Sequence, residues 1–199
     1  MLLWNKNKEQ GWFEAAGSYS STRFVAVENR FLIASRYVDI HRDNAKTFSY
    51  EFGSILRDSG SIFGSMMDAL VKEGSADAKV ESNFSDYRVY LEREIPDINK
   101  RTIQVRPCFP TGMIIPFEAL QETKGTPEWW NAYNRIKHSE YAEFRSGNLE
   151  NCLTALSALA LMGFFMNWFV SDQLFVNVGI VYPETSIDMS SERRLFLQS

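Results

Sequence analysis

Histidine and cysteine are both scarce: the 199 residues hold two of each, His41, His138, Cys108 and Cys152. Two imidazoles exclude most multi-histidine metal sites and leave few groups for proton transfer near neutral pH. The cysteines lack metal-ligand spacing, and neither has an obvious histidine within a helical turn, which disfavours thiol-based nucleophilic catalysis. Two cysteines and no apolar export run in Met1–Lys8 fit a reducing compartment, so a cytoplasmic protein is expected.

Excess positive charge is missing too. Lys and Arg number 21 against 25 Asp and Glu, a formal charge of −4 with a pI near 5.3. This balance argues against non-specific coating of nucleic acid but leaves room for a local basic site. A glycine-rich phosphate loop, a GxSxG elbow and an HExxH pair are all absent; Gly60 and Gly64 sit inside a helical pattern and are assigned to packing. The residues call for no metal and no cofactor.

What is present is apolar and aromatic. Hydrophobic residues make up 45% of the chain and aromatic ones 14%, enough for a large core. No repeat or linker divides it, so residues 1–199 are taken as a single domain. The expected organisation is an irregular N-terminal arm over 1–22 and a helix near 24–38. A long helix over about 44–73 follows, with Phe48, Phe52, Ile55, Ile62, Met66 and Leu70 at helical spacing and Asp43 or Asn44 as cap. Its three glycines, Gly53, Gly60 and Gly64, suggest a closely packed neighbour, and Gly74-Ser75 ends it.

Asp86–Glu94 is read as a short helix. Two strands, Arg101–Arg106 and Met113–Phe117, form a small β-hairpin insertion at about 101–117. Thr126 and Pro127 open a further helix, and Asn148 caps another over roughly 149–170. A tail over 171–199 contains a candidate strand at Phe175–Val181 and a surface loop at Ser186–Ser191. The expected core includes Phe48, Phe52, Ile55, Met66, Leu153, Leu156, Leu159 and Phe164. The fold class is mainly α, a helical bundle with one small β insertion.

Residues 151–171 carry no charge and are long enough to span a bilayer. Thr154, Ser157 and Asn167 dilute their apolar character, and Glu150 and Asp172 flank them without an adjacent Lys or Arg. A buried central helix is the preferred reading, with no stable membrane association. A membrane anchor is the second alternative.

One stripe carries chemistry. On a helix, Trp130, Asn134, Lys137, His138, Tyr141 and Arg145 fall along one broad face. His138 is placed to move a proton, with Asn134 one turn away. Arg135, Lys137 and Arg145 offer charge to a phosphate, and Trp130 and Tyr141 offer rings for a base. The competing reading is structural: His138 fixes helix–helix geometry, and Asn134 bonds a backbone carbonyl of the 107–127 segment. His41, beside Asp39, Arg42 and Asp43, reads as solvated.

The run Tyr133-Asn134-Arg135-Ile136-Lys137-His138, with the long helix through Leu153–Phe165 and the upstream helix at 44–73, resembles the HEPN superfamily of nucleotide-binding helical domains. The likeness spans roughly 28–170 in architecture and rests on few motif residues. It implies an α-helical bundle whose catalytic members are metal-independent ribonucleases of toxin–antitoxin, CRISPR-linked and phage-defence systems. The signature is an arginine, a polar residue and, a few positions on, a histidine. Asn134 and His138 match it. Tyr133 stands where the arginine belongs, and Arg135 is closer to the histidine than the signature spacing.

The resemblance therefore implies a non-catalytic or degenerate module in a defence or regulatory system that binds RNA, a nucleotide or a protein partner. The alternative is a metal-independent endoribonuclease. There His138 would serve as general acid/base and Asn134 would orient the scissile phosphate or the histidine, while Arg135, Lys137 or Arg145 would offset developing charge. The resemblance also implies a two-fold homodimer with His138 of both copies in one cleft. Trp129, Trp130, Phe144, Phe165 and Trp168 look like more apolar surface than one bundle needs, which points the same way. Burial of that surface by the N-terminal arm, through Trp4, Trp12 and Phe13, would leave a monomer.

Overall fold

The first proline stands at position 96, so no proline breaks a helix in the first 95 residues. In the structure, a computed structural model, residues 10–74, 83–105, 113–166 and 181–184 are described. Among them the fold is mainly α. Helices α1 (Gln10–Ala34) and α2 (Tyr50–Gly74) form a hairpin, followed by α3 (Phe84–Glu94), α4 (Glu128–Glu143) and α5 (Leu149–Phe165). Helix α1 begins well before the expected position: residues 10–22, assigned to an irregular arm, are helical. Trp4 lies outside the described residues, as do the side chains of Trp12 and Phe13.

Caps differ in detail from the expected ones. Asp43 and Asn44 belong to a separate 3-10 turn, Arg42–Asn44. The cap of α2 is Ser49, whose Oγ accepts the Phe52 N–H at 3.0 Å. Helix α3 carries a full capping box: Asn83 accepts from the Asp86 N–H, and Asp86 accepts from the Asn83 N–H. Pro127 precedes the first helical residue of α4, and Thr126 makes no side-chain cap. The expected cap of α5 is present, with Asn148 Oδ1 accepting the Asn151 N–H at 3.0 Å.

Phe24, Val27 and Phe31 of α1, Phe52, Ile55, Leu56 and Phe63 of α2, and the face of α5 from Leu149 to Met162 fill one core. Two expected core residues do not belong to it. Phe48 precedes α2 and is 42% exposed, and Phe164 is only half-buried in the last turn of α5. Trp129 and Trp130, expected in part at a subunit contact, are buried in the chain's own core. There they meet Phe63, Tyr87, Phe84 and Phe117 mostly edge-to-face. The Trp129 indole N–H donates to the Pro116 carbonyl at 2.9 Å, fixing the loop before α4. Trp168 lies outside the described residues.

The expected hairpin is part of a larger sheet. Strand β1 (Thr102–Val105) pairs antiparallel with β2 (Met113–Ile114), Ile103 opposite Ile114. On its other side β1 pairs with β3 (Val181–Glu184), giving the order β2-β1-β3. Pro183 is tolerated because β3 is an edge strand. The tail strand thus starts at Val181; positions 175–180, Arg106 and the loop at 186–191 lie outside the described residues.

No helix among the described residues is long and apolar enough to cross a membrane. Within the uncharged stretch at 151–171, α5 runs to Phe165 and is buried through most of that length. Its positions beyond 166 are outside the described residues.

Candidate functional site

Helix α4 carries most of the candidate residues, and its packing decides which are free to act. Tyr133 is buried and lies over Gly60 of α2: a Cβ at Gly60 would fall 2.3 Å from the ring. Gly64 meets the Trp130 ring and Gly53 meets Gly147, so the glycines of α2 are where its neighbours approach, as their number suggested. The inner face of α4 is thus Trp129, Trp130, Ala132, Tyr133 and Ile136. Trp130 belongs to the core and not to a base-stacking surface.

The outer face begins with Asn134, half-exposed, and His138, exposed. Neither side chain makes a hydrogen bond or an ion pair with a described residue. The expected bond from Asn134 to the 107–127 segment is made by its neighbour Asn131, whose Nδ2 donates to the Thr126 carbonyl at 3.5 Å. Immediately after His138 the helix breaks: Ser139 adopts φ −152° and ψ 56°. Tyr141 and Arg145 therefore do not continue the stripe of Trp130, Asn134 and His138. The single face expected from helical spacing is divided in two.

The cations sort by partner. Arg135 is held by the Glu128 and Glu143 carboxylates and the Ser146 hydroxyl, which removes it from the set available to a phosphate. Arg57 of α2 pairs with Glu140, and Lys46 with Glu150. Lys137 and Arg145 meet no carboxylate among the described residues. The Lys137 ammonium sits 5.7 Å from the Tyr133 ring centre. The Arg145 guanidinium lies 5.7 Å from the Phe48 ring and 5.9 Å from that of Phe144. Those two rings meet edge-to-face at 5.1 Å.

Phe48, Phe144 and Arg145 form an exposed aromatic and cationic group at the junction of α4 and α5. Tyr141, 97% exposed, lies on the same outer run, in which residues 137–142, 144 and 145 are all exposed. By sequence Phe48 is expected in the core, because it matches the helical period of Phe52 and Ile55, and Phe144 at a subunit contact. The signal that sets Phe48 apart is Ser49, a capping residue between it and the helix.

The adjacent N-terminus of α5 has no spare donors. Leu149 N–H donates to Thr47 O, Glu150 N–H to Ala45 O, and Asn151 N–H to the Asn148 side chain. Its dipole is consequently not presented to an anion. His41, exposed at the turn before Ala45, accepts the Asp43 N–H through Nδ1. Cys152 is fully buried, and burial pushes its thiol well up, away from nucleophilic use. Cys108 lies outside the described residues. Comparison with family models, with curated proteins and with solved structures finds no match to this chain.

Proposed function

We propose that the chain is a non-catalytic, HEPN-like binding module of a cytoplasmic defence or regulatory system. It holds single-stranded RNA at the surface formed by Phe48, Tyr141, Phe144 and Arg145. The observation that carries this reading is the Arg145 guanidinium lying on two exposed rings and meeting no described carboxylate. Exposed rings give bases a stacking surface, and an adjacent guanidinium supplies both a planar face and charge for the backbone. The net charge of −4 is no obstacle locally, because Glu128, Glu140, Glu143 and Glu150 are each paired with a cation.

Tyr133 supports the absence of catalysis. The position where the HEPN signature has arginine is here a buried ring wedged on a glycine. Arg135, the nearest alternative, is already ion-paired with Glu128 and Glu143.

Fluorescence anisotropy with a labelled single-stranded RNA in EDTA, followed by gel analysis, tests the reading. Tyr141→Ala and Arg145→Ala are each expected to weaken binding about 5- to 100-fold, the range of one lost stacking contact. The RNA should remain intact. Cleavage by the wild type that disappears in His138→Ala would replace this reading with the endoribonuclease. Unchanged binding in both surface variants would remove the proposed site.

The resemblance also carries a proposal on assembly, a homodimer with the two His138 side chains facing one cleft. With Trp129 and Trp130 buried, its apolar surface among the described residues reduces mainly to Phe144 and neighbouring exposed rings. Light scattering at micromolar concentration that returns the mass of one chain would defeat it.

A further inference from the structure

Helix α1 carries a charge-bearing residue on its buried face. Glu28 lies one helical turn from both Phe24 and Phe31, directly follows the buried Val27, and is 2% exposed. Both carboxyl oxygens are buried without a hydrogen-bond partner. Two positions on, the chain answers the same problem differently. Arg30 emerges on the other flank and bonds Glu51, Ser54 and Asp58 of α2. A conventional salt bridge was thus available in the sequence of this helix pair, and Glu28 is not in one.

We propose that Glu28 is a proton-operated latch. Its neutral carboxyl lets α1 dock against α2 and α5, and its ionisation releases α1 from them.

Among the described residues no ion pair holds the charged form of Glu28. On α2, Glu51 and Asp58 belong to Arg30, Arg57 to Glu140, and Asp68 accepts the Tyr87 hydroxyl. Lys72 is exposed near the far end of α2. Helix α5 has one charged residue, Glu150 in its first turn, paired with Lys46. Along α1, Arg23 lies over the Tyr19 ring. Ser59 of α2 and Ser157 of α5 are buried with unpartnered hydroxyls and supply no charge.

An unpaired carboxylate in such surroundings is among the costliest groups to bury, so the group stays neutral or the helix moves. Burial alone raises its pKa from 4.5 to about 8. The direction in pH follows. Below pH 4.5 the carboxyl is protonated both docked and released, and docking is at full strength. Between about 4.5 and 8 only the released form ionises, so docking weakens by up to tenfold per pH unit. Above about 8 the loss is complete.

The experiment uses the full chain, with Glu28→Gln and Glu28→Leu as neutral replacements. Urea denaturation and amide hydrogen exchange are followed from pH 5 to 9, exchange rates being corrected for their intrinsic base catalysis. The wild type is expected to lose folded population relative to Glu28→Gln by up to tenfold per pH unit up to about pH 8. Amides of residues 20–34 should lose protection ahead of those of α4 and α5. Glu28→Leu should be as insensitive to pH as Glu28→Gln, which keeps the test open if the amide itself packs poorly. A wild-type pH profile parallel to both variants would overturn the latch. So would uniform loss of protection across all helices, because the carboxyl would then report on global unfolding and not on release of α1.

Discussion

A Cβ on Gly60 would lie 2.3 Å from the ring of Tyr133, closer than any carbon atoms pack. This single contact sets how near α2 and α4 come, and it explains why a helix tolerates glycine in its middle. Gly60→Ala should therefore destabilise the protein by about 1–3 kcal/mol, overpacking outweighing alanine's better helix propensity. Gly53 gives the contrast: its Cβ would meet only ordinary contacts, the nearest at 3.9 Å. Gly53→Ala should be neutral or stabilising by up to about 1 kcal/mol. Urea denaturation of the two variants side by side checks the pair, and equal effects would contradict the packing described.

Leu156 is buried in the middle of α5, the helix that packs against α1, α2 and α4. Leu156→Ala should cost about 2–5 kcal/mol, the range for a cavity that the surrounding helices cannot collapse to fill. The midpoint of chemical denaturation should shift with little change in slope. A loss near zero would place α5 at the periphery.

Asn148 joins two segments as well as capping a helix. Its Oδ1 accepts the Asn151 N–H, and its Nδ2 donates to the Arg145 carbonyl at 3.2 Å. Asn148→Ala loses both bonds at a buried position, and a destabilisation of about 1–2 kcal/mol is expected. Asn148→Asp keeps the acceptor and loses the donor, so it should fall between the two. The same change should loosen the backbone that holds Arg145, which RNA anisotropy would register as weaker binding.

Cys152 offers a measure of opening. Its thiol is fully buried on α5 and held neutral by burial. In a Cys108→Ser background, labelling by a thiol reagent should proceed only as fast as the protein opens, and should accelerate in Leu156→Ala. Rapid labelling of the otherwise intact protein would show that α5 is accessible.

Much of the helical framework was legible because apolar spacing and capping residues agree. Ile55, Met66, Leu153 and Leu159 fall inside as their period requires, and Asn148 caps where it was expected. The candidate site was harder to read. The stripe from Trp130 to Arg145 presumes a continuous helix, and the break at Ser139 follows from no proline or glycine nearby. Phe48 shares the period of α2 without being part of it. Which cations are already occupied depends on partners elsewhere in the chain, Arg57 with Glu140 being one example, and spacing alone carries no trace of that. Glu28 stands in the sequence among Phe24, Val27 and Phe31, but a single acid within a helix is ordinarily solvated, and only its burial sets it apart.

The start of α5 is fastened to residues 45–49, about half a chain away, and the Lys46 and Glu150 side chains that meet there are 104 positions apart. Closing so long a loop costs on the order of 4 kcal/mol of chain entropy before the contact returns anything. A contact of that separation is expected to form late, once α2 and α5 already lie side by side, and to be missing from the folding transition state. Its role is therefore one of lifetime: weakening it should hasten unfolding while leaving the rate of folding almost untouched.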